Sequence, residues 1–453
     1  MSESTDRRFE TRDRVRGLLE SGALNELRGL LEGFHPSDVA ELLEDLEQAQ
    51  RVVFLELLPA EVAADVLAEV DEAEHPAELL ALLDPERIGK IVQDMADDDA
   101  ADLIGELDPA EQARILAQVS QSEASDIERL LHYAEDTAGG IMTREIVAIS
   151  ADLTTGEAIE AVRSQASEAG DFYTIFVVDA HNFLSGVVSL QSLVIGDPGA
   201  PVSELLEEAP AVVHVDMDQE DVSRTLSKYN LAAIGVVDSS GRLVGRVTFD
   251  DVIDVLEAET TEDILRFAAV SEEEELRGST GDAIRSRLPW LLTSLVTAAL
   301  AASVVVAFEA TIQQFIILAA AIPVIAGVGG NAGTQALAVT IRRIALSNET
   351  LSERMQVVSK ELAVGMVNGL VVGVVAALLG FLLPEVPGFR FGLVVLFAMW
   401  GSLVIASFLG AFIPIMLESM DVDPAVASSP FVTTITDVIG LLLLLGLASV
   451  MLV

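Results

Sequence analysis

At 453 residues the chain is long enough for several domains. It combines a mean hydropathy of +0.47 with a formal net charge of -46, which one compact body does not carry. The two properties separate along the chain: from Gly281 onward there are ten acids and seven bases, which leaves 62 acids and 19 bases to the first 280 residues. Such acidity argues against nucleic acid and an anionic membrane surface as ligands, since both would repel it, and favours cations. The acidity also reads as solvation in a salt-rich cytoplasm, since only three bases are Lys (Lys90, Lys228, Lys360) and the rest are Arg. The lack of cysteine excludes disulfides, zinc-thiolate sites and thiol catalysis. Met1 to Glu20 is charged throughout and does not read as a signal peptide, so the N-terminus is expected in the cytosol.

From about Leu24 to Leu131 a unit of roughly 20 to 25 residues recurs, an irregular period of the helical-repeat kind. His35-Pro36-Ser37-Asp38, Leu58-Pro59-Ala60-Glu61, Asp84-Pro85-Glu86 and Asp108-Pro109-Ala110-Glu111 each place a Pro at a first turn beside an acid, as helix N-termini prefer. Val39, Leu42, Leu43 and Leu46 then recur at helical spacing. The expectation is an all-α superhelix.

After Thr137-Ala138-Gly139-Gly140 the pattern becomes short strands alternating with helices, and a second repeat begins. Ile175 to Asp179 matches Ile234 to Asp238, and the spacing persists through Leu184 and Leu243, Gly186 and Gly245, Val188 and Val247, Leu193 and Val252. Each copy reads as strand, turn, strand and helix. The pair resembles tandem cystathionine β-synthase (CBS) domains over about Met142 to Glu259. A charged helical pattern follows from Val252 to about Glu275 and leads to Arg285 and Arg287 as a connecting helix. Beyond it lie five apolar stretches, about 288–308, 315–341, 356–383, 391–417 and 428–452, each long enough to span a bilayer. Arg285, Arg287, Arg342, Arg343, Arg354 and Lys360 flank the sides that a cytosolic N-terminus makes inner, and only Arg390 falls outside, so the C-terminus is expected outside.

Within the second stretch, Pro323 to Gln335 places four glycines with Asn331 and Gln335, which reads as a break tolerated only where backbone is buried or lines water. Close helix packing through small residues is the competing reading, and it leaves the two amides unexplained. The fifth stretch carries Asp437 after Thr433, Thr434 and Thr436. An intramembrane carboxylate is costly and marks function by default, unless the threonine hydroxyls cap it. A hydrated magnesium ion suits a path of a few carboxylates and carbonyls. One Asp per chain is thin for such a path, and two chains about a two-fold axis would supply two, so a homodimer is expected.

Pro323 to Gln335, Gly410 to Pro414, and Asp421-Val422-Asp423-Pro424-Ala425 through Thr433 to Gly440 resemble the MgtE family of magnesium channels, and the domain order is similar too. The resemblance covers nearly the whole chain. It implies a homodimer in the plasma membrane whose pore binds hydrated magnesium at Asp437 with help near Asn331, and which cytosolic magnesium closes. The sensor acids it carries over are Asp98 and Asp102, Asp218 and Glu220, and Asp251, Asp254, Glu257, Glu259, Glu262 and Asp263; Glu309 is a candidate entrance ligand. Two positions depart from the pattern. Asn230 follows Tyr229 where some relatives have Asp. Thr248 to Asp251 keeps the ribose-gripping pattern of nucleotide-binding CBS domains, whereas Ser189-Leu190-Gln191-Ser192 lacks the carboxylate, which argues against ATP and leaves Asp251 to magnesium.

The fold class expected is therefore multidomain: an all-α N domain (1–136), an α/β CBS pair (137–200 and 201–259), a connecting plug helix region (260–284) and a five-helix transmembrane pore domain (285–453). Two other readings stand beside the magnesium channel: a membrane-anchored CBS sensor, and a path for another divalent ion such as cobalt, nickel or calcium. Five scattered histidines (His35, His75, His132, His181, His214) offer neither metal-ligand spacing nor a nucleophile arrangement, so no enzyme is expected. An oxygen-lined path disfavours the softer metals, and only the family resemblance decides against calcium.

Overall fold

The structure is a computed structural model. It describes residues 2–71, 74–166, 172–268, 270, 280–346, 351–380, 388–420, 422–424 and 429–452. Residues 271–279 of the connecting segment, and Asp421 and Ala425 of the motif above, lie outside the described residues. Two units divide at Ala258 and Glu259.

Among the described residues the first unit opens with ten helices: α1 (Ser2–Ser21), α2 (Leu24–Leu31), α3 (Pro36–Glu44), α4 (Gln48–Leu57), α5 (Ala60–Ala68), α6 (Pro76–Ala81), α7 (Pro85–Asp94), α8 (Asp97–Gly105), α9 (Pro109–Leu116) and α10 (Gln121–Leu130). The proline signals open α3, α5, α7 and α9, and one further helix stands between each consecutive pair, so the repeating unit is a helix pair. Pro59 sits at the N-cap rather than the first turn of α5, leaving Glu61 to face the helix N-terminus. Arginines close the stack by donating to backbone carbonyls of neighbouring helices. Arg28 reaches Leu57 O (3.1 Å), Arg51 reaches Leu46 O (2.9 Å), Arg87 reaches Leu55 O (3.0 Å) and Arg114 reaches Ala81 O (2.8 Å). These are carbonyls at or near helix C-termini, which have no partner within their own helix.

Two three-stranded sheets follow. β1 (Ala148–Ser150) lies parallel to β2 (Thr174–Val178), which is antiparallel to β3 (Leu184–Ser189); α11 (Thr155–Gln165) and α12 (Leu190–Ile195) complete this copy. β4 (Val212–His214), α13 (Gln219–Tyr229), β5 (Ala233–Val237), β6 (Leu243–Thr248) and α14 (Phe249–Phe267) repeat it, with register slips at equivalent places, Val177/Val178 and Val236/Val237. The repeated Asp179 and Asp238 are turn formers: each accepts from the backbone two and four residues on, at 2.8 to 2.9 Å. Residues 137–143 pair with the second copy, through Ala138 N to Met217 O (2.7 Å) and Thr143 N to Arg246 O (2.9 Å). One apolar core accordingly runs from the helical domain into the second copy, while the first copy has its own.

The second unit holds the end of α14 and then α15 (Thr280–Ala307), α16 (Glu309–Gln314), α17 (Ile317–Leu346), α18 (Leu351–Gly380), α19 (Phe389–Glu418) and α20 (Ser429–Met451). Five of these are long and apolar enough to cross a membrane, with mean hydropathies of 1.5 to 2.4 over the best windows. The expected break in the second span is absent: α17 is one continuous helix through Pro323 and all four glycines. Three of its four glycines, Gly329, Gly330 and Gly333, serve close packing instead. A Cβ on Gly329 would lie 2.7 Å from Ser402 Oγ, and one on Gly333 would lie 2.8 Å from Val432 Cγ1. Gly365, Gly369 and Gly373 do the same for the α18–α19 seam, meeting Ser407, Trp400 and Leu396.

Gly410 tests this packing. A Cβ there would lie 2.3 Å from Gly333 O, which is backbone and cannot rotate away. Gly410→Ala should therefore destabilise the detergent-solubilised chain by about 2 kcal/mol. Gly327→Ala, with nothing within 4 Å of its Cβ, should be neutral or slightly stabilising. Thermal-shift size-exclusion measurements check both, and equal melting for the two variants would reject the packing role.

Candidate functional site

Two groups of polar side chains stand apart from the architecture, and each lies within one unit. In the first unit, α8 opens on three consecutive acids, Asp97, Asp98 and Asp99. Asp98 is only 8% exposed, and its Oδ1 is buried with no hydrogen-bond partner. Burial first, then Asp99 and Asp251, hold its carboxyl well above the usual carboxylate range. Asp99 is pushed up to about 6 by burial and by Asp251 and Asp250, with Glu69 and Asp254 adding to the repulsion. The start of α14 faces this group. Asp251 Oδ2 accepts from Thr248 N (2.9 Å) and Thr248 Oγ1 (2.5 Å), bonds that partly offset the upward push of burial. Asp254 is raised by burial, then by Asp251 and Glu69. On the opposite flank Glu145 is pushed up to about 7 by burial and Asp97, against the lowering effect of buried Arg246.

A cavity of about 550 Å³ opens among Asp98, Asp99, Glu145, Arg246, Thr248 and Asp251, with Phe172 and Tyr173 on its wall. Among the described residues no three acids converge into a ready-made metal cage. The donor set is all oxygen and mutually repelling, with one orphaned buried oxygen, which fits a hard divalent cation that keeps part of its water shell.

The acids expected from sequence divide three ways. Asp98, Asp102, Asp251, Asp254 and Glu257 belong to this group, since Asp102 acts on Asp98 and Glu257 on Asp254. Asp218 and Glu220 do not line the cavity: Asp218 caps α13 by accepting from Glu220 N (2.9 Å), and Glu220 pairs with Arg224 (2.6 Å). Glu259, Glu262 and Asp263 lie on the part of α14 that belongs to the second unit, where Glu262 pairs with Arg266. Asn230, the expected departure, is the left-handed C-cap of α13 (φ 55°), a conformation that Asn tolerates well. Sequence reasoning missed Glu69, Asp99, Asp250 and Glu145. Only the acid runs at 97–99 and 250–251 hinted at them.

In the second unit Asp437 stands half-buried on α20. Threonine capping is ruled out by the hydroxyls' own bonds: Thr433 and Thr434 donate to Pro430 O (3.1 and 2.7 Å), and Thr436 donates to Thr433 O (2.8 Å). Among the described residues no hydrogen bond or ion pair engages Asp437. Gly330 meets Thr433, and Gly333 meets Val432 and Thr436, so the glycine face of α17 lies against the α20 turns that lead to Asp437. Asn331 is exposed on that part of α17. Glu309 opens α16, exposed, and accepts from Gln313 Nε2 (2.8 Å). A second carboxylate escaped the sequence reading: Glu361, only 8% exposed, one turn before Gly365 on the α18 face that meets α19.

Comparison with known proteins places these features. Residues 322–447 match the family model described as MgtE, divalent cation transporter, residues 34–136 match the MgtE intracellular N domain, and residues 138–195 and 202–258 match the CBS domain. The chain is 36% identical over 446 residues to the magnesium transporter MgtE of Thermus thermophilus, covering 96% of this chain and 97% of that one. It is 31% identical over 434 residues to that of Bacillus subtilis, covering 95% of each. Among solved structures, the cytosolic domain of the Mg2+ channel MgtE in complex with ATP matches with a TM-score of 0.52 and 38% identity, over 54% of this chain and 99% of that one. The soluble part of a magnesium transporter matches with a TM-score of 0.51 and 34% identity, over 56% of this chain and 99% of that one.

The raised acids set a pH dependence. Asp99 has an ordinary value of 3.8 and sits at about 6 in the fold, so between those values the folded state holds more protons than the unfolded one. Stability therefore falls as pH rises through this window, and the loss is complete above it. Without divalent cations, Asp99→Asn should slow hydrogen exchange of α8 amides at pH 7.5 by an amount worth about 2 kcal/mol, a gain that shrinks steadily toward pH 4. A gain independent of pH would reject the charge mechanism.

Proposed function

Because the chain belongs to the MgtE family of magnesium transporters and is a multi-pass membrane protein with five candidate spans, we propose that it is a magnesium-selective channel closed by cytosolic magnesium, working as a homodimer. The observation that carries the pore assignment is Asp437, an intramembrane carboxylate whose threonine neighbours are bonded elsewhere. Burying it costs about 3 kcal/mol on insertion scales, a cost that a passing cation offsets. Two copies about a two-fold axis place two such carboxylates on one path. Asn331 adds a neutral oxygen on the adjoining helix, and Glu309 offers a carboxylate at the outer entrance. A doubly charged ion that holds six waters in an octahedral shell is recognised whole by such oxygens, without the dehydration that a narrower, carbonyl-lined path would require.

Orientation follows from the basic residues that flank the spans, with Arg390 alone on the outer side, which puts the N-terminus in the cytosol and the C-terminus outside. The sensor is the acid group of α8 and α14, with Asp218, Glu220, Glu259, Glu262 and Asp263 as further members. Its carboxylates repel one another, and the orphaned oxygen of Asp98 has no internal remedy. A divalent cation supplies the missing positive charge. The compact arrangement is then favoured to the extent that it binds cations more tightly than the separated one.

A second ligand has a specific observation behind it. The cavity that holds Thr248 and Asp251 also has Phe172 and Tyr173 on its wall, a setting for an adenosine group, and a relative's cytosolic domain was crystallised with ATP. Asp98, Asp99 and Glu145 would repel a bare triphosphate, so nucleotide is expected to enter with its magnesium.

Two outcomes test the reading. Asp437→Ala in liposomes should lose magnesium flux at least a hundredfold while remaining a folded dimer by size exclusion, with a calcium dye read in parallel for selectivity. Neutralising Asp251, Asp254 and Glu259 together should raise the magnesium concentration that half-inhibits flux by tenfold or more. Unchanged inhibition in the triple variant would sink the sensor assignment.

A further inference from the structure

α14 carries seven acids and a single base, Arg266, in its last turn, where the helix dipole favours a cation. The guanidinium is doubly engaged. It pairs with Glu262 one turn back and with Asp423 in the α19–α20 connection, 157 residues on. The three side chains are 27%, 29% and 32% exposed, so solvent does not dominate these contacts as it does at an open surface. The next residue, Phe267, packs with Leu337 and Ile341 of α17, Ile413 and Leu417 of α19, and Val432 of α20. Val432 is the side chain against Gly333, five residues before Asp437. The end of α14 is thus fastened by charge and by apolar contact to three of the spanning helices, at residues adjoining the candidate pore.

We propose that Arg266 is a tethered cation that latches the connecting helix onto the pore helices and sets how much cytosolic magnesium is needed to close them. The proposal rests on the gating reading above. Glu262 and Asp423 would repel each other across this contact, and the guanidinium, a planar fork suited to two carboxylates, neutralises both without a metal. Part of the closed state's stability is therefore independent of magnesium. Free magnesium has to supply only the remainder.

The test is magnesium flux through the full-length chain in liposomes, titrated against magnesium on the cytosolic side. Arg266→Gln should keep its flux at zero cytosolic magnesium and raise the half-inhibiting concentration at least threefold. The swap Arg266→Asp with Asp423→Arg should restore closure to within twofold of wild type. Asp423→Asn probes the same pair from the other side, should a position 266 variant not fold, and should shift inhibition in the same direction. Closure of folded Arg266→Gln or Asp423→Asn at the wild-type concentration would overturn the latch and leave the sensor reading intact. A wild-type chain that magnesium does not close would overturn the gating reading itself, and the latch with it.

Discussion

The fold of the first unit is governed by an imbalance between carboxylates and the few bases available to meet them. Arg28, Arg51, Arg87 and Arg114 are engaged by backbone carbonyls of the helical stack, and Arg51 meets Glu74 as well. Arg144 is tied to Asp126, and Arg246 is buried beside Glu145. What remains between α8 and the start of α14 is a group of acids that burial has made harder to ionise, and Asp98 is its extreme. Hydrophobic packing of the shared core holds this arrangement together against the repulsion.

The membrane half solves a different problem with the same economy of polar groups. Between apolar helices in lipid no hydrophobic gain drives association, so contact area and close approach decide it. Glycines at 329, 333, 365, 369, 373 and 410 let backbones meet side chains or carbonyls of the neighbouring helix. Helix propensity alone would count these glycines as weak points, at about 1 kcal/mol each. In the bundle they are contact points, and that frees the exposed amides of α17 from any packing duty.

Much of this was legible in the sequence, and the misses have physical causes. Proline beside an acid marked every second helix of the stack. Pro76 with Glu78 opens the intervening α6 as well, whereas α4 and α8 open without proline, so the repeat reads as an irregular period of roughly 20 to 25 residues instead of a helix pair. The CBS spacing was found through β2, β3 and their twins, while β1 and β4, three residues each, are too short for alternation to register. The glycine-rich run of α17 was read as a break because isolated-helix propensities were applied where tertiary packing prevails. Asp98 and Asp251 entered through a resemblance. Glu69, Glu145 and Asp423 are distant in sequence from their neighbours in space, and no local pattern announces them. Glu361 was hidden differently, lying near one end of an apolar stretch, where a flanking charge is ordinary.

α14 joins these observations. It is one hydrogen-bonded helix from Phe249 to Phe267. Its first turns carry Asp250, Asp251 and Asp254, of which Asp251 is only partly offset by Thr248 and Arg246, and its last turn carries Arg266, which two carboxylates engage. A device with acids at both ends would be held only by metal and would let go completely when metal fell. One with bases at both ends would never let go. On the gating proposed above, repulsion at one end and a cation fixed at the other would make the acidic end the part that responds to solution. On the same proposal the Arg266 end would set where on the concentration scale the response falls.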